Sequence, residues 1–464
     1  MGVDISEQTR AFVRGHRTDD VRDLALHAKR VEGLDLTWAL DQIAGWQTAR
    51  RKLPQWADVD DIIYPPHLAM EQCSSEPTAR YKARLAARLL AGAGPVETTT
   101  ADAVPEPPAA ERAAQSHTSE SRPASEGVLT DLTGGFGVDF SYMARRFAQA
   151  VYVERQRELC EIVRHNVAAL GLDGVRIVNA QAESHLDAMD PVDVIYLDPA
   201  RRDTHGARTY AIADCTPDVL ALRDGLLRKA RVVIVKLSPM LDWHKAVDDL
   251  GGVVDEVHIV AVSNECKELL LVLRRNAAPV PLVQCVNLTP QGEERFACTP
   301  ESGDMRGDVH DDVRDIAAET GKTSETGGDG GDDSAGTATA AAHRYLYEPN
   351  AAIMKAGCFA ELGARYGLTP LTANSHLYVT DRPVPGFPGR GFRIDAMATF
   401  AKKDLKRVVA GLTQANITTR NFPMTVDQLR RKLKLKDGGD TYLFATTDRA
   451  RRHILIRATR LDRE

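Results

Sequence analysis

At 464 residues the chain is too long for a single compact core, and 43% hydrophobic with 27% charged residues is the balance of a folded, water-facing protein. No run of 18 apolar residues and no signal-peptide core occurs, so the sequence predicts a cytoplasmic chain with no membrane partner. A net charge of −6 excludes a uniformly basic nucleic-acid binder, and seven scattered cysteines without CxxC spacing predict reduced thiols and no metal.

Residues 1–92 read as helical. Leu36, Leu40, Ile43 and Trp46 fall near helical spacing without strand alternation, and a further helix is expected over 79–90. Ser74 or Ser75 with Glu76 has the form of ordinary helix-capping chemistry, which leaves the Glu71-Gln72 pair before them unexplained. Residues 93–126 are Pro, Ala, Ser, Thr and Glu without periodicity, the composition of a flexible linker.

Over 127–276 short apolar runs alternate with helical stretches. Val128–Leu132, Ala150–Glu154, Val175–Val178, Val192–Leu197 and Arg231–Lys236 are the strands of five βα units, which implies a parallel sheet covered on both faces. Val257–Val262 and Leu269–Leu273 are separated by only six residues, too few for a crossover helix, so they form an antiparallel hairpin. Residues 277–299 read as a connector.

The first of these strands runs into Asp131-Leu-Thr133-Gly134-Gly135-Phe136-Gly137, a turn that lets backbone approach a ligand at a helix N-terminus. Glu154 ends the second strand, 20 residues after Gly134, where a carboxylate can accept both hydroxyls of a ribose. A nicotinamide enzyme meets those conditions too. Its diphosphate, however, is repelled by a carboxylate such as Asp131, which suits the ammonium of a methionine moiety. Asn179 and Ala180, after the third strand, offer polar groups at an adenine edge.

Tyr196-Leu-Asp198-Pro199-Ala-Arg201-Arg202 ends the fourth strand, at the carboxyl edge where open α/β sheets hold ligands. Asp198 and the Pro199 carbonyl can accept hydrogen bonds from an exocyclic amine during an in-line displacement, and Arg201 and Arg202 suit a phosphate-bearing acceptor. The other reading is a structural turn with exposed arginines. Asn264 and Glu265, at the turn of the final hairpin, either read a base edge or are the polar residues any hairpin turn carries.

Residues 300–342 form a second low-complexity segment, with eleven Asp/Glu against three Lys/Arg over 300–336. A helix over 350–366, a strand near 376–379 and a Pro/Gly turn follow, giving a segment at 343–389. The stretch 390–464 reads βαβαββ and carries eighteen Lys/Arg against eight Asp/Glu, a net of +10 hidden by the acidity of the whole. Lys402 and Lys403 open one of its helices, and Arg430, Arg431 and Lys432 crowd the next. These clusters are candidate RNA contacts or, failing that, a solvated face.

From about residue 8 to the end, outside the two low-complexity segments, the chain resembles a bacterial family of class I methyltransferases with a C-terminal THUMP-like domain. The resemblance rests on Met70–Glu76, Asp131–Asp139, Leu197–Asp203, Lys236–Asp242 and Asn264–Glu268. It implies an α/β fold with a Rossmann-like class I methyltransferase sheet of five parallel strands plus a final antiparallel hairpin. A helical region would precede it, and small α+β ferredoxin-like and THUMP-like modules would follow. It further implies S-adenosyl-L-methionine as cofactor and, since THUMP domains accompany RNA-modifying enzymes, RNA as partner. Asp131-Leu-Thr-Gly-Gly-Phe-Gly with Leu197-Asp-Pro also looks like the ribosomal-RNA guanine-N2 methyltransferases, and Glu71-Gln72 looks like a segment preceding the cofactor loop in amino-methylating enzymes. Those enzymes often carry an aromatic residue two places after the Pro. Ala200 and Arg201 stand here instead, which leaves the base open. A protein or small-molecule acceptor, or a non-catalytic RNA-binding role, is the alternative.

Overall fold

The computed structural model describes residues 5–28, 31–92, 125–201, 211–300, 343–372 and 374–461, so 93–124 and 301–342 of the two low-complexity segments, and Arg202, lie outside the described residues. Two compact units result, and each is taken by itself.

The first unit begins with helices α1 (Glu7–His16), α2 (Val21–His27), α3 (Leu36–Lys52), α4 (Pro54–Ala57), α5 (His67–Gln72) and α6 (Glu76–Leu90). Ile43 and Ala49 of α3 are buried, whereas Leu36, Leu40 and Trp46 are half-buried. Its strands are β1 (Ser125–Asp131), β2 (Phe147–Glu154), β3 (Val175–Asn179), β4 (Val192–Leu197), the short pair β5 (Ala200–Arg201) and β6 (Cys215–Thr216), then β7 (Ala230–Leu237), β8 (Val254–Val262) and β9 (Glu265–Leu273). Helices α7 (Val138–Ala144), α8 (Arg157–Ala169), α9 (Ala182–Ala188), α10 (Val219–Lys229) and α11 (Trp243–Leu250) connect them.

Within this unit the main sheet has the order β8-β9-β7-β4-β1-β2-β3. Strands β1, β2, β3, β4 and β7 pair parallel, and β9 pairs antiparallel with β7. The inner runs Val194–Leu197 and Val232–Val235 are buried throughout, as helices on both faces require. Ser263 and Asn264, both at positive φ, turn β8 into β9. Register aligns the carboxyl ends: Asp131 lies opposite Tyr152 and Tyr196, Glu154 opposite Asn179, and Leu197 opposite Val235. Behind the sheet, buried His258 of β8 stands between the Tyr81 hydroxyl of α6 at 2.7 Å and Glu256 at 2.9 Å, and Arg88 of α6 also pairs with Glu256.

The second unit starts where the sequence reads as a connector. Residues 282–298 are instead a hairpin, β10 (Leu282–Thr289) with β11 (Gly292–Cys298). Gln284 and Asn287 interrupt its apolar pattern yet are buried, Asn287 because its carboxamide bonds the Asn264 amide and Glu294. Then come β12 (Tyr345–Pro349), α12 (Ala351–Ala356), α13 (Phe359–Tyr366), β13 (Thr369–Pro370), β14 (Tyr378–Thr380), β15 (Gly389–Thr399), α14 (Lys402–Val408), β16 (Asn416–Thr419), α15 (Val426–Leu433), β17 (Thr441–Thr447) and β18 (His453–Arg460). The expected helix over 350–366 is two helices, because Gly357 at φ 81° ends the first.

A sheet ordered β13-β14-β12-β15-β18-β17-β16 runs through this unit. Alternation decides its faces. Phe444, Ile454 and Ile456 join Leu346 and Phe392 on one side, while Leu443, Ala445 and Leu455 meet Leu405, Val408 and Leu429 of the two helices on the other. The seven cysteines are not all reduced. Cys298 and Cys358, 60 residues apart, form a disulfide that links the end of β11 to the start of α13, two points whose approach only the tertiary fold creates.

Candidate active site

The loop after β1 is fixed from below by the second strand. Gly134 lies so close to Tyr152 that a Cβ there would sit 2.1 Å from the ring, and the Tyr152 hydroxyl donates to the Gly135 carbonyl. Above Gly135 there is room. A Cβ there would meet nothing nearer than 3.9 Å. Gly137, at φ 75°, caps α7, and Phe136 between them is half-buried. Glu154 closes the far side. Its carboxylate, 8% exposed, accepts from the Gly135 amide at 3.1 Å and the Gln156 amide at 2.9 Å. The side-chain amide of Asn179 donates to the carbonyls of Glu154 and Arg155, and the Ala180 amide donates to the Glu154 carbonyl. Asn179 thus holds the strand end in shape.

Asp131 is buried at the root of this loop, and burial pushes its pKa well above the ordinary carboxylate range, opposed by the Thr133 amide at 3.0 Å and reinforced by Asp139, Asp198 and Glu154 nearby. Four carboxyl groups crowd this Gly-rich turn, with Lys82 and Lys236 as the cations that offset them. A dinucleotide's diphosphate is disfavoured there, whereas a cationic ammonium and sulfonium relieve the crowding. The donor set fits S-adenosylmethionine.

Next to the cleft lies a buried charge network. Lys82 of α6 is fully buried, with its Nζ on Glu268 of β9 and 3.2 Å from Asp139 of α7. Lys236 of β7 donates to Asp198 Oδ2 at 2.7 Å and lies 3.5 Å from Asp139. The Ser74 hydroxyl accepts from Lys82 at 3.1 Å and from Lys236 at 3.0 Å, and donates to Asp139 at 2.8 Å with Glu268 3.2 Å away. Tyr196 adds a hydrogen bond to Asp139 at 2.9 Å. Burial alone would raise Asp139, but Lys82 and Lys236 outweigh it and hold the carboxyl down to about 2. Burial would likewise lower Lys236. Asp198, Asp139 and Glu268 instead hold its ammonium well above the usual range.

Asp198 is the open end of this network. Its amide donates to Thr133 Oγ1 at 2.6 Å, its side chain is 41% exposed, and Pro199 behind it is buried. Arg201 continues into the two-residue ladder of β5 with β6.

Sequence reasoning missed Ser74, Lys82, Asp139, Lys236 and Glu268 as a set. The capping expectation for the serines does not hold: Ser75 makes no side-chain cap bond, and Ser74 serves the lysines. Glu71 and Gln72 end α5 as exposed residues, held through the Met70 and Glu71 carbonyls by Lys52.

In the second unit Asn264 does not present a free carboxamide. Its Oδ1 accepts the Ala351 amide at 2.8 Å at the start of α12, while Glu265 beside it is exposed. Lys402, Lys403, Arg431 and Lys432 are exposed, and Lys432 lies 5.5 Å over the Phe400 ring, two residues before Lys402, so the clusters of α14 and α15 form one surface. Arg430 is not part of it, because its guanidinium binds the Ala415 carbonyl and Asp437.

Residues 389–460 match the THUMP domain-like family, and residues 345–388 match a ferredoxin-like domain family. An uncharacterized S-adenosylmethionine-dependent methyltransferase of Mycobacterium tuberculosis, present in strains H37Rv and CDC 1551, is 26% identical over 316 residues, 67% of this chain and 74% of its own length. The crystal structure of a candidate methyltransferase from Porphyromonas gingivalis W83 superposes with a TM-score of 0.75 at 28% identity, covering 100% of both chains. The sequence and fold are similar to those of S-adenosylmethionine-dependent methyltransferases, and residues 345–460 carry ferredoxin-like and THUMP-like domains. Asp131, Gly134–Gly137 and Glu154 lie at the carboxyl ends of β1 and β2, the edge at which open α/β sheets hold ligands. No helix among the described residues is long and apolar enough to cross a membrane.

Proposed function

We propose that this methyltransferase acts on an exocyclic base amine of structured RNA. Asp131, the loop Thr133–Gly137 and Glu154 hold S-adenosylmethionine, which supplies an electrophilic methyl group. The acceptor amine docks on Asp198 and the Pro199 carbonyl. The observation that carries the reading is the state of Asp198: one carboxylate oxygen is bound to Lys236, and the side chain stays open at the carboxyl edge of β4. A carboxylate held this way accepts an N–H and stabilises positive charge arriving on nitrogen. Its anchorage through Thr133 ties the acceptor position to the cofactor loop, which is the alignment an in-line displacement needs.

RNA is supported by the exposed cations of α14 and α15, gathered on one surface that can follow a phosphate backbone. Asn264 and Arg430 are left out of the proposed acceptor contacts, since packing already uses their polar groups. Mass spectrometry of digested RNA from a deletion strain and its parent tests the reading. The expected result is one methylated nucleoside lost in the deletion strain. Identical RNA profiles would move the acceptor to a protein or small molecule, and no transfer to any fraction would leave an RNA-binding role.

A further inference from the structure

We propose that Lys236, seated on the Ser74 hydroxyl, is the positioning residue that orients Asp198 and keeps it charged for a nitrogen acceptor. The inference rests on the methyl-transfer reading above and adds residues that the cofactor cleft does not use. Strand pairing sets Leu197 opposite Val235, so the next residue on each strand, Asp198 and Lys236, meet at the sheet edge. The three directions of the Lys236 ammonium are taken by Asp198, Ser74 and Asp139. Ser74 cannot slide away, because it also bridges Lys82 to Asp139 and Glu268.

The charge balance indicates what the site receives. Two lysines face Asp139, Glu268 and Asp198, a net of −1. Exposure of the side chains rises from 0% at Lys82 and 4% at Glu268, through 10% at Asp139 and 13% at Lys236, to 41% at Asp198. The unbalanced charge is therefore presented at the end that reaches solvent. An amine that becomes cationic as it takes the methyl group is complementary to that end; a hydroxyl or thiol that must first become an anion is not. Asp198 is faced by Lys236 of β7, Lys82 of α6, Asp139 of α7, Asp131 of β1 and Tyr196 of β4. Burial against these elements raises its pKa, and Lys236 is the largest opposing influence.

The test needs no acceptor. The full-length protein, labelled with 13C at aspartate carboxyls, is titrated by NMR, with the Asp198 signal assigned from Asp198→Asn. Lys236→Met should raise the Asp198 midpoint by about one pH unit or more, and Lys236→Arg should hold it near the original value. An unchanged midpoint in folded Lys236→Met overturns the proposal. Should that variant unfold, Ser74→Ala decides: a rise of at least a few tenths of a unit is expected, and no movement overturns it. With tritiated S-adenosylmethionine and RNA from the deletion strain, Lys236→Met should also lower kcat and move its acid limb upward at unchanged cofactor affinity. Loss of activity with an unmoved limb marks a merely structural role and overturns the assignment. Failure of RNA as acceptor leaves the NMR result standing, so the two readings fail separately.

Discussion

The Thr133 hydroxyl accepts the Asp198 amide at 2.6 Å, so the turn that carries the cofactor and the edge that meets the acceptor are joined by a single short bond. Thr133→Ala should lower kcat by about tenfold through misalignment of Asp198, with a stability cost of about 1 kcal/mol. Steady-state kinetics beside thermal unfolding separates the two effects. Equal kcat in the variant would show that the bond is incidental to turnover.

Asp198→Ala should remove turnover, by on the order of a hundredfold or more, while cofactor affinity stays within a few-fold. Single-turnover assays paired with calorimetry check both halves. A variant that retains most of its activity would return Asp198-Pro199 to the status of a structural turn.

Glu154→Ala should weaken S-adenosylmethionine by about 1–3 kcal/mol, since the carboxylate is a charged acceptor already oriented by the Gly135 and Gln156 amides. Calorimetry should report one site per chain. Tight binding of NAD in its place would falsify the cofactor assignment.

RNA affinity should fall with salt, and replacing Lys402, Lys403, Arg431 and Lys432 by Ala should make the salt slope shallower by roughly 1 for each phosphate no longer neutralised. Charge substitution is the right tool here. Deleting residues 390–464 would strip β15 from β12 and leave β12 with a bare edge, confounding lost binding with lost folding. A slope that does not change in the quadruple variant would move the acceptor away from RNA.

Glu256 adds a pH prediction. Burial would raise its pKa, but His258 and Arg88 outweigh that and bring it down from 4.5 to about 2. The folded-state value is depressed, so its contribution is present above about 4.5 and is lost as pH falls toward 2. Glu256→Gln should therefore lower stability at pH 6, by on the order of 3 kcal/mol, and flatten the acid slope between those limits. Denaturant titrations at pH 6, 4 and 2.5 measure it. Parallel curves for both proteins would remove Glu256 from the account.

The parallel sheet was legible because buried strands leave unbroken apolar runs, and Val192–Leu197 is found over the residues expected. β10 was not, because Gln284 and Asn287 break its apolar pattern and look solvent-facing in the sequence, whereas both are buried. Asp131, Glu154 and Asp198 could be picked out because strand ends are where ligands bind in such sheets. Lys82 could not. On a helix rich in Arg and Lys it reads as one more solvated charge, and only folding brings Asp139 and Glu268 to it, from 57 and 186 residues away. Arg430, expected among the RNA contacts, pairs with Asp437, a partner that the sequence pattern does not reveal.

The charge network around Ser74 draws one residue from each of five separate sequence segments and a sixth from α6. Losing one of the buried charges Lys82, Asp139, Lys236 or Glu268 leaves its partner unpaired in the interior, which costs about 3–5 kcal/mol. Single replacements at these positions are therefore poor evolutionary intermediates. Descendants of this gene should keep the six residues together or discard them together, so their joint presence becomes a signature by which a genome can be searched for enzymes built on the same plan.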